Sequence, residues 1–301
     1  MANQPLSDGI IVPMITPLVS HDQLDHEGLE NLVQHFISGK VHGIFALGST
    51  GEGPSLSYSL RIDLIERLCD LVNKRVPVLI GITDTAFVES IRMAQFAEKA
   101  GADAVVLSTP YYFPAGQTEL RQYLQRLLPL LPLPVVLYNM PSLTKVWYHL
   151  STIESVIGFK QIVAIKDSSG DKEYLNGLLK LRKQRPDWKL FVGPESELIE
   201  FTTRGGNGGV SGGANVYPKL FVEAWLAASK NESETCRHLQ SKIESLGKIY
   251  EIGKYASRHI KATKCAAKLL GLCDDAMAEP FNRFYPEDQQ KVLEIIRGLD
   301  W

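Results

Sequence analysis

Residues 134–141 read PVVLYNMP and residues 162–171 read IVAIKDSSGD. Each is a short, β-branched apolar run that ends abruptly in polar residues, Tyr138-Asn139 in one and Lys166-Asp167 in the other. Runs this uniformly apolar predict strands buried on both faces, as in a parallel sheet, because a half-exposed strand would alternate. Working outward, similar runs appear as GIIVPMIT around Ile10, GIFAL from Gly43, PVLIGI from Pro77, AVVL from Ala104, KLFVG from Lys189 and GGVSG from Gly208. Most begin about 27–34 residues after the one before, the length of one strand–helix unit. The last is glycine-rich and follows after only about 19 residues.

Helical periodicity fills the intervals. Leu29, Leu32, Val33, Phe36 and Ile37 form an amphipathic stripe. A further helical stretch runs from about Ala86 to Lys99, with Gly101 as its stop. Eight alternating units predict a closed (β/α)8 TIM barrel rather than an open doubly wound sheet. No GxGxxG follows the first run, which argues against a dinucleotide site. From Pro218 onward only helical patterns remain: FVEAWLAA, HLQSKIESLGKIYEIG and HIKATKCAAKLLG. The expected organisation is therefore a barrel over 1–217 and a C-terminal helical extension over 218–301, packed on the barrel.

Composition excludes several classes of function. With 32 Lys+Arg against 34 Asp+Glu, the net charge is −2, and no positive excess points to nucleic acid or an anionic membrane. The four cysteines show no CxxC or metal spacing and read as reduced thiols. MANQPLSDG lacks the basic and apolar regions of a signal peptide, so a cytoplasmic location is expected. The longest apolar stretch, 127–138, is too short to span a bilayer and is broken by Pro129, Pro132 and Pro134.

In such a barrel the chemistry sits at the C-terminal ends of the strands. Those ends read Gly48-Ser49-Thr50-Gly51-Glu52-Gly53, Ser108-Thr109-Pro110-Tyr111-Tyr112, Tyr138-Asn139-Met140-Pro141, Lys166-Asp167-Ser168-Ser169 and Gly193-Pro194-Glu195-Ser196. Lys166 directly follows an apolar strand and is expected at the barrel mouth. Desolvation there would favour the neutral amine, a nucleophile that forms Schiff bases with carbonyls. The plain alternative is a lysine reaching past the strand end to solvent. Tyr138 could shuttle protons beside that lysine, or could simply pack inside the barrel. Ser49 and Thr50, flanked by glycines, could present hydroxyls and N–H groups to a carboxylate, or form an ordinary turn. Tyr111 and Tyr112 could equally be interface aromatics. The seven histidines show no HxH or HExxH spacing, and His26, His35 and His42 fall in or beside the first helix.

Taken together and in this order, GSTGEG, STPYY, YNMP and IVAIKDSSGD resemble the dihydrodipicolinate synthase / N-acetylneuraminate lyase superfamily. The resemblance covers essentially the whole chain. It implies a Schiff-base, pyruvate-dependent class I aldolase or lyase on a (β/α)8 barrel, usually a homotetramer built as a dimer of dimers. It implies that Lys166 attacks the ketone and that Tyr138 is the general acid/base. Ser49, Thr50 and Gly51 would hold the carboxylate of pyruvate, with Thr50 in a proton relay to Tyr138. Tyr112, from a neighbouring subunit, would complete that relay. Val210 would line the pyruvate pocket, and Ser168, Gly193 and Glu195 would meet the rest of the substrate. No metal or cofactor is required, because the lysine imine is itself the electron sink.

One departure bears on substrate. Dihydrodipicolinate synthases carry an arginine two residues after the proline of the YNxP motif, suited to bidentate carboxylate binding. Leu143 stands there. N-acetylneuraminate lyases also have an apolar residue at that point but follow the seventh strand with an Asp-Glu pair, where this chain has Glu195-Ser196. The mixture suggests cleavage of a 2-keto-3-deoxy sugar acid to pyruvate and an aldehyde. The alternatives are 4-hydroxy-tetrahydrodipicolinate synthase, N-acetylneuraminate lyase, and a non-catalytic relative that keeps the fold. A metal-dependent barrel hydrolase is disfavoured by the lack of His/Asp clusters at the strand ends.

Overall fold

The computed structural model describes residues 6–299. Eight parallel strands close into a barrel: β1 (Gly9–Pro13), β2 (Gly43–Ala46), β3 (Val78–Gly81), β4 (Ala104–Ser108), β5 (Val135–Asn139), β6 (Ile162–Asp167), β7 (Lys189–Val192) and β8 (Gly208–Val210). All eight strands read from the sequence are present, including the short glycine-rich last one. A two-stranded antiparallel hairpin, Leu18–Ser20 with Gln23–Leu24, follows β1.

The two faces of each strand explain why the runs are apolar throughout. Ile11, Phe45, Leu79, Val106, Val136, Ala164, Phe191 and Val210 pack together inside the barrel, joined by Leu6. Their neighbours Ile10, Val12, Ile44, Val105, Leu137, Ile165 and Leu190 point outward into the layer beneath the helices. Fully burying each such side chain is worth roughly 1.5–3 kcal/mol. The interior is thus a filled core rather than a pore.

Helices α1 (His26–Ser38), α2 (Tyr58–Val72), α3 (Phe87–Ala100) and α4 (Gln117–Leu127) follow strands β1 to β4. Asp25 caps α1 by accepting from Gly28 N, and Gly101 ends α3 in the left-handed conformation at φ 92°. Two short helices, α5 (Pro141–Thr144) and α6 (Leu150–Glu154), follow β5. Next come α7 (Lys172–Leu181), α8 (Leu198–Thr203) and α9 (Pro218–Ser229), the last packed against β1 and α8. Helices α10 (Ser233–Gly247), α11 (Arg258–Leu269) and α12 (Pro286–Arg297) complete the chain. The sequence patterns identified α9, α10 and α11; α12 had no reading of its own. None of the described helices is long and apolar enough to cross a membrane.

Strand β6 departs from regular pairing. Val135 pairs with Ile162, but the next residue, Val136, pairs with Ala164, so β6 carries one extra residue at this point. A bulge of this kind resets the alternation of side chains. Ile162 faces outward, whereas Ala164 faces inward. Two residues further on, Lys166 therefore points into the barrel. Strict alternation from Ile162 would have turned it out.

Candidate active site

Beyond the bulge, β5 and β6 run in register, with Tyr138 opposite Lys166 and Asn139 opposite Asp167. Lys166 is 5% exposed and Tyr138 6%. The Lys166 Nζ lies 3.9 Å from the centre of the Tyr138 ring and 5.2 Å from that of Phe45. The Phe45 and Tyr138 rings meet edge to face at 6.4 Å. The lysine thus ends against two aromatic faces at the C-terminal end of the barrel core. This is a dry setting that leaves a single amine available. Phe191 on β7 pairs with Lys166 from the other side, and Val210 packs in the same inner cluster.

The GSTGEG segment sits directly above this group. A Cβ on Gly48 would lie 2.7 Å from the Phe45 ring, so only glycine lets the loop descend so far. Ser49 and Thr50 are half-buried, and Gly51 is buried. Thr16 Oγ1 donates to Gly51 O at 2.6 Å, and Gly53 N donates to Gly48 O at 3.2 Å, closing the turn. Glu52, 2% exposed and at φ 56°, turns away from the mouth. It pairs with Lys264 of α11 and accepts from Ala278 N at 2.9 Å. Burial pushes the Lys264 ammonium below its ordinary pKa, against the pull of Glu52. Neither Glu52 nor Lys264 was read as a partner of the other from sequence; no local signal links residues so far apart.

Ser168 and Gly193 are adjacent, since a Cβ on Gly193 would collide with Ser168 Oγ. Gly193 N donates to Asp167 O at 2.7 Å. Glu195 lies further along the same loop, with its carboxylate directed toward the segment after β8 and toward the extension. Its Oε1 accepts from Gly213 N at 2.6 Å and from Tyr250 OH at 3.3 Å. Its Oε2 is shut off from solvent and has no hydrogen-bond partner, although the residue as a whole is only half-buried. Burial outweighs the lowering by Gly213, Tyr250 and Gly212 and pushes the carboxyl pKa up to about 7.

Tyr112 stands apart. It is 84% exposed on the loop after β4, at φ 80°, with its ring edge-on to Phe113 at 5.0 Å. Within one chain, therefore, Lys166, Tyr138 and Val210 gather in the barrel interior, with the Ser49–Gly51 turn above them and Tyr112 on the surface. Tyr111, beside it, has its phenol pKa raised by burial and by Asp84. His35 and His42 serve packing: His35 Nε2 is 3.1 Å from Val216 O, and His42 Nδ1 accepts from Ile10 N.

A network behind the lysine escaped the sequence reading. Asn139 and Asp167, both fully buried, face outward from β5 and β6. Asn139 Nδ2 donates to Asp167 Oδ1 at 2.7 Å. Asn139 Oδ1 accepts from Tyr148 N, and Asp167 Oδ2 accepts from Ser169 Oγ at 2.7 Å. Burial raises the Asp167 carboxyl pKa to about 6. The available signal was a polar residue ending each strand immediately after Tyr138 and Lys166.

Comparison with known proteins shows the family to which the chain belongs. The chain matches the dihydrodipicolinate synthetase family over residues 6–299. It is 31% identical over 273 residues to a 4-hydroxy-tetrahydrodipicolinate synthase of Bartonella bacilliformis, covering 90% of this chain and 91% of that protein. A dihydrodipicolinate synthase structure from Bacteroides thetaiotaomicron superposes with a TM-score of 0.95 at 43% identity, covering 99% of this chain and 100% of that one. YagE, an Escherichia coli K12 prophage protein of the dihydrodipicolinic acid synthase family solved with pyruvate, superposes at 0.92 and 26% identity, covering 97% and 98% of the two chains. The chain belongs to the dihydrodipicolinate synthetase family, whose members are pyruvate-dependent class I aldolases and lyases.

Proposed function

We propose that this protein reversibly cleaves a 2-keto-3-deoxy sugar acid into pyruvate and an aldehyde, with Lys166 as the Schiff-base residue. The observation that carries this reading is the Lys166 amine held 3.9 Å over the Tyr138 ring inside the barrel. Lys166 Nζ adds to the C2 ketone, and loss of water from the carbinolamine leaves a protonated imine. Tyr138 gives its proton to the departing carbinolamine hydroxyl and then, as the phenolate, accepts the proton of the C4 hydroxyl as the C3–C4 bond breaks. The electron pair of that bond flows into the imine, giving a neutral enamine and releasing the aldehyde. Protonation at C3 and hydrolysis of the imine return pyruvate and the free lysine. Ser49, Thr50 and the N–H groups of their glycine-flanked turn would hold the pyruvate carboxylate, with Thr50 passing a proton to Tyr138. Val210 would bound the methyl side, and Ser168, Gly193 and Glu195 the sugar-derived end.

Support for a hydroxylated substrate comes from Leu143. It is 46% exposed where dihydrodipicolinate synthases carry their carboxylate-binding arginine. The second reading, condensation of pyruvate with aspartate semialdehyde, is favoured by the names of the related enzymes. We further propose a homotetramer in the cytoplasm, with Tyr112 reaching a neighbour's site; the exposure of the Tyr112–Phe113 pair supports a covering partner.

Borohydride reduction in the presence of pyruvate, followed by intact mass, tests the chemistry. One covalent adduct is expected, lost in Lys166→Ala. No adduct, or one that survives Lys166→Ala, overturns the mechanism. Tyr138→Phe is expected to depress turnover far more than pyruvate binding. An aldehyde panel of glyceraldehyde, aspartate semialdehyde, N-acetylmannosamine and glyoxylate separates the substrate readings. Aspartate semialdehyde as the best substrate overturns the argument from Leu143.

A further inference from the structure

Lys166 faces the barrel interior only because β6 carries its extra residue between the Val135–Ile162 and Val136–Ala164 pairs. Main-chain hydrogen bonds do not by themselves fix such a bulge, because pairing shifted by one residue offers the same donors and acceptors. A one-residue shift would turn Lys166 outward and bring Asp167 in. Something beyond the ladder must hold the register of its last four pairs.

We infer that Asn139 and Asp167 are positioning residues for imine formation, their cross-strand hydrogen bond holding Lys166 inward beside Tyr138. The inference rests on the reading of Lys166 as the Schiff-base residue. The pair is the last rung of the β5–β6 ladder, one residue beyond Tyr138 and Lys166 and on the opposite face. The bond is directional and fully buried, so a slipped register carries the carboxylate into the barrel and leaves the Asn139 N–H group buried without its acceptor. An apolar pair at these positions would fill space equally well in either register.

The bond is anchored from both sides. Asn139 Oδ1 accepts from Tyr148 N at 3.1 Å, and Tyr174 OH on α7 donates to Tyr148 O. Asp167 accepts from both the hydroxyl and the N–H of Ser169. Ser168 N donates to Asn139 O at 2.9 Å, which extends the ladder past the pair. The other charged or titratable groups acting on or sensing Asp167 are Glu197 and Tyr174.

These fixed partners make an exchange test possible. In Asp167→Asn, the new amide either keeps its oxygen toward Ser169 and sets its N–H group against that of Asn139, or turns over and sets it against the N–H of Ser169. Rotating Asn139 only moves the conflict to Tyr148 N. In Asn139→Asp, two carboxylates meet at hydrogen-bond distance and repel wherever the pH keeps both ionised. In the double exchange, Asn139→Asp with Asp167→Asn, the carboxylate at 139 accepts from Tyr148 N and from the amide at 167. The amide oxygen at 167 accepts from Ser169. Every hydrogen bond is restored, with donor and acceptor reversed in the cross-strand bond alone.

The measurement is the rate at which full-length protein, saturated with pyruvate, becomes trappable by borohydride at Lys166. It is read by intact mass and normalised to folded protein by circular dichroism. Each single variant is expected to slow adduct formation by about 100-fold, with pyruvate KM moved far less than kcat, as for a nucleophile misplaced by about 1 Å. The double exchange is expected to recover most of the rate. Folded single variants that trap at the wild-type rate overturn the inference, whatever their melting temperature. So does a double variant that is slow or unfolded. If a single variant does not fold, the double variant decides alone. If wild-type protein gives no adduct, the Schiff-base reading fails and takes this inference with it. If wild type and single variants trap alike, only the positioning role fails.

Discussion

At the scale of single residues, burial sets the charge states around the barrel mouth. The Glu195 carboxyl is held at about 7 and that of Asp167 at about 6, both by desolvation. Each folded-state value lies above the ordinary carboxylate value, so between the two the folded protein keeps a proton that the unfolded chain has lost. Stability therefore falls as pH rises, from 4.5 to about 7 for Glu195 and from 3.8 to about 6 for Asp167. Glu195→Gln keeps an acceptor for Gly213 N and removes the ionisation. It should gain roughly 3 kcal/mol relative to wild type on going from pH 4 to pH 8. Thermal melts of variant and wild type across that range check this, read as the difference between their two slopes. A variant with the wild-type pH slope would show that Glu195 titrates normally.

At the scale of elements, two connections hold the barrel and the site loop. The seam where β8 meets β1 pairs Gly9 with Gly208, at φ 134° and 148°. A Cβ on Gly208 would lie 1.9 Å from Gly9 O, a main-chain atom that moves only if the seam opens. Gly208→Ala should cost about 4 kcal/mol or more, measured by chemical denaturation. Gly158→Ala, at a position with nothing within 4 Å, is the control and should be nearly neutral. The second connection is the buried Glu52–Lys264 pair, which ties the Ser49–Gly51 turn to α11. Lys264→Met leaves the Glu52 carboxylate buried without its countercharge, and roughly 3–5 kcal/mol of stability should be lost. Unfolding midpoints followed by tryptophan fluorescence report this directly.

At the scale of the whole molecule, the Tyr112–Phe113 pair, 84% and 80% exposed, is the feature that a single chain leaves unexplained. Under the proposed tetramer it is covered by a neighbour and supplies that neighbour's relay. Phe113→Asp should then shift sedimentation toward smaller species and lower turnover together. A wild-type protein that sediments as a monomer with full activity would remove this role from Tyr112. The net charge of −2 provides no overall positive field for an anionic substrate. Under the proposed function, recognition of the substrate carboxylate falls to local groups, the turn above Phe45 and the lysine imine.

The barrel was legible in the sequence because strands buried on both faces are apolar at every position, and that pattern needs no knowledge of neighbours. PVVLYNMP and IVAIKDSSGD announced themselves this way, and their polar ends marked the mouth. Lys166 and Tyr138 could be singled out for the same reason. Tertiary structure alone decided which way Lys166 points, because the bulge in β6 arises from pairing with β5 and leaves no trace in the local period. It alone joined Asn139 to Asp167, Glu52 to Lys264, and Glu195 to Gly213 and Tyr250. Those partners lie between 18 and 212 residues apart along the chain. Apolar burial is a property of each residue's own environment and is written locally. A hydrogen bond between distant side chains depends on where the closed barrel brings them, and only the folded chain specifies that.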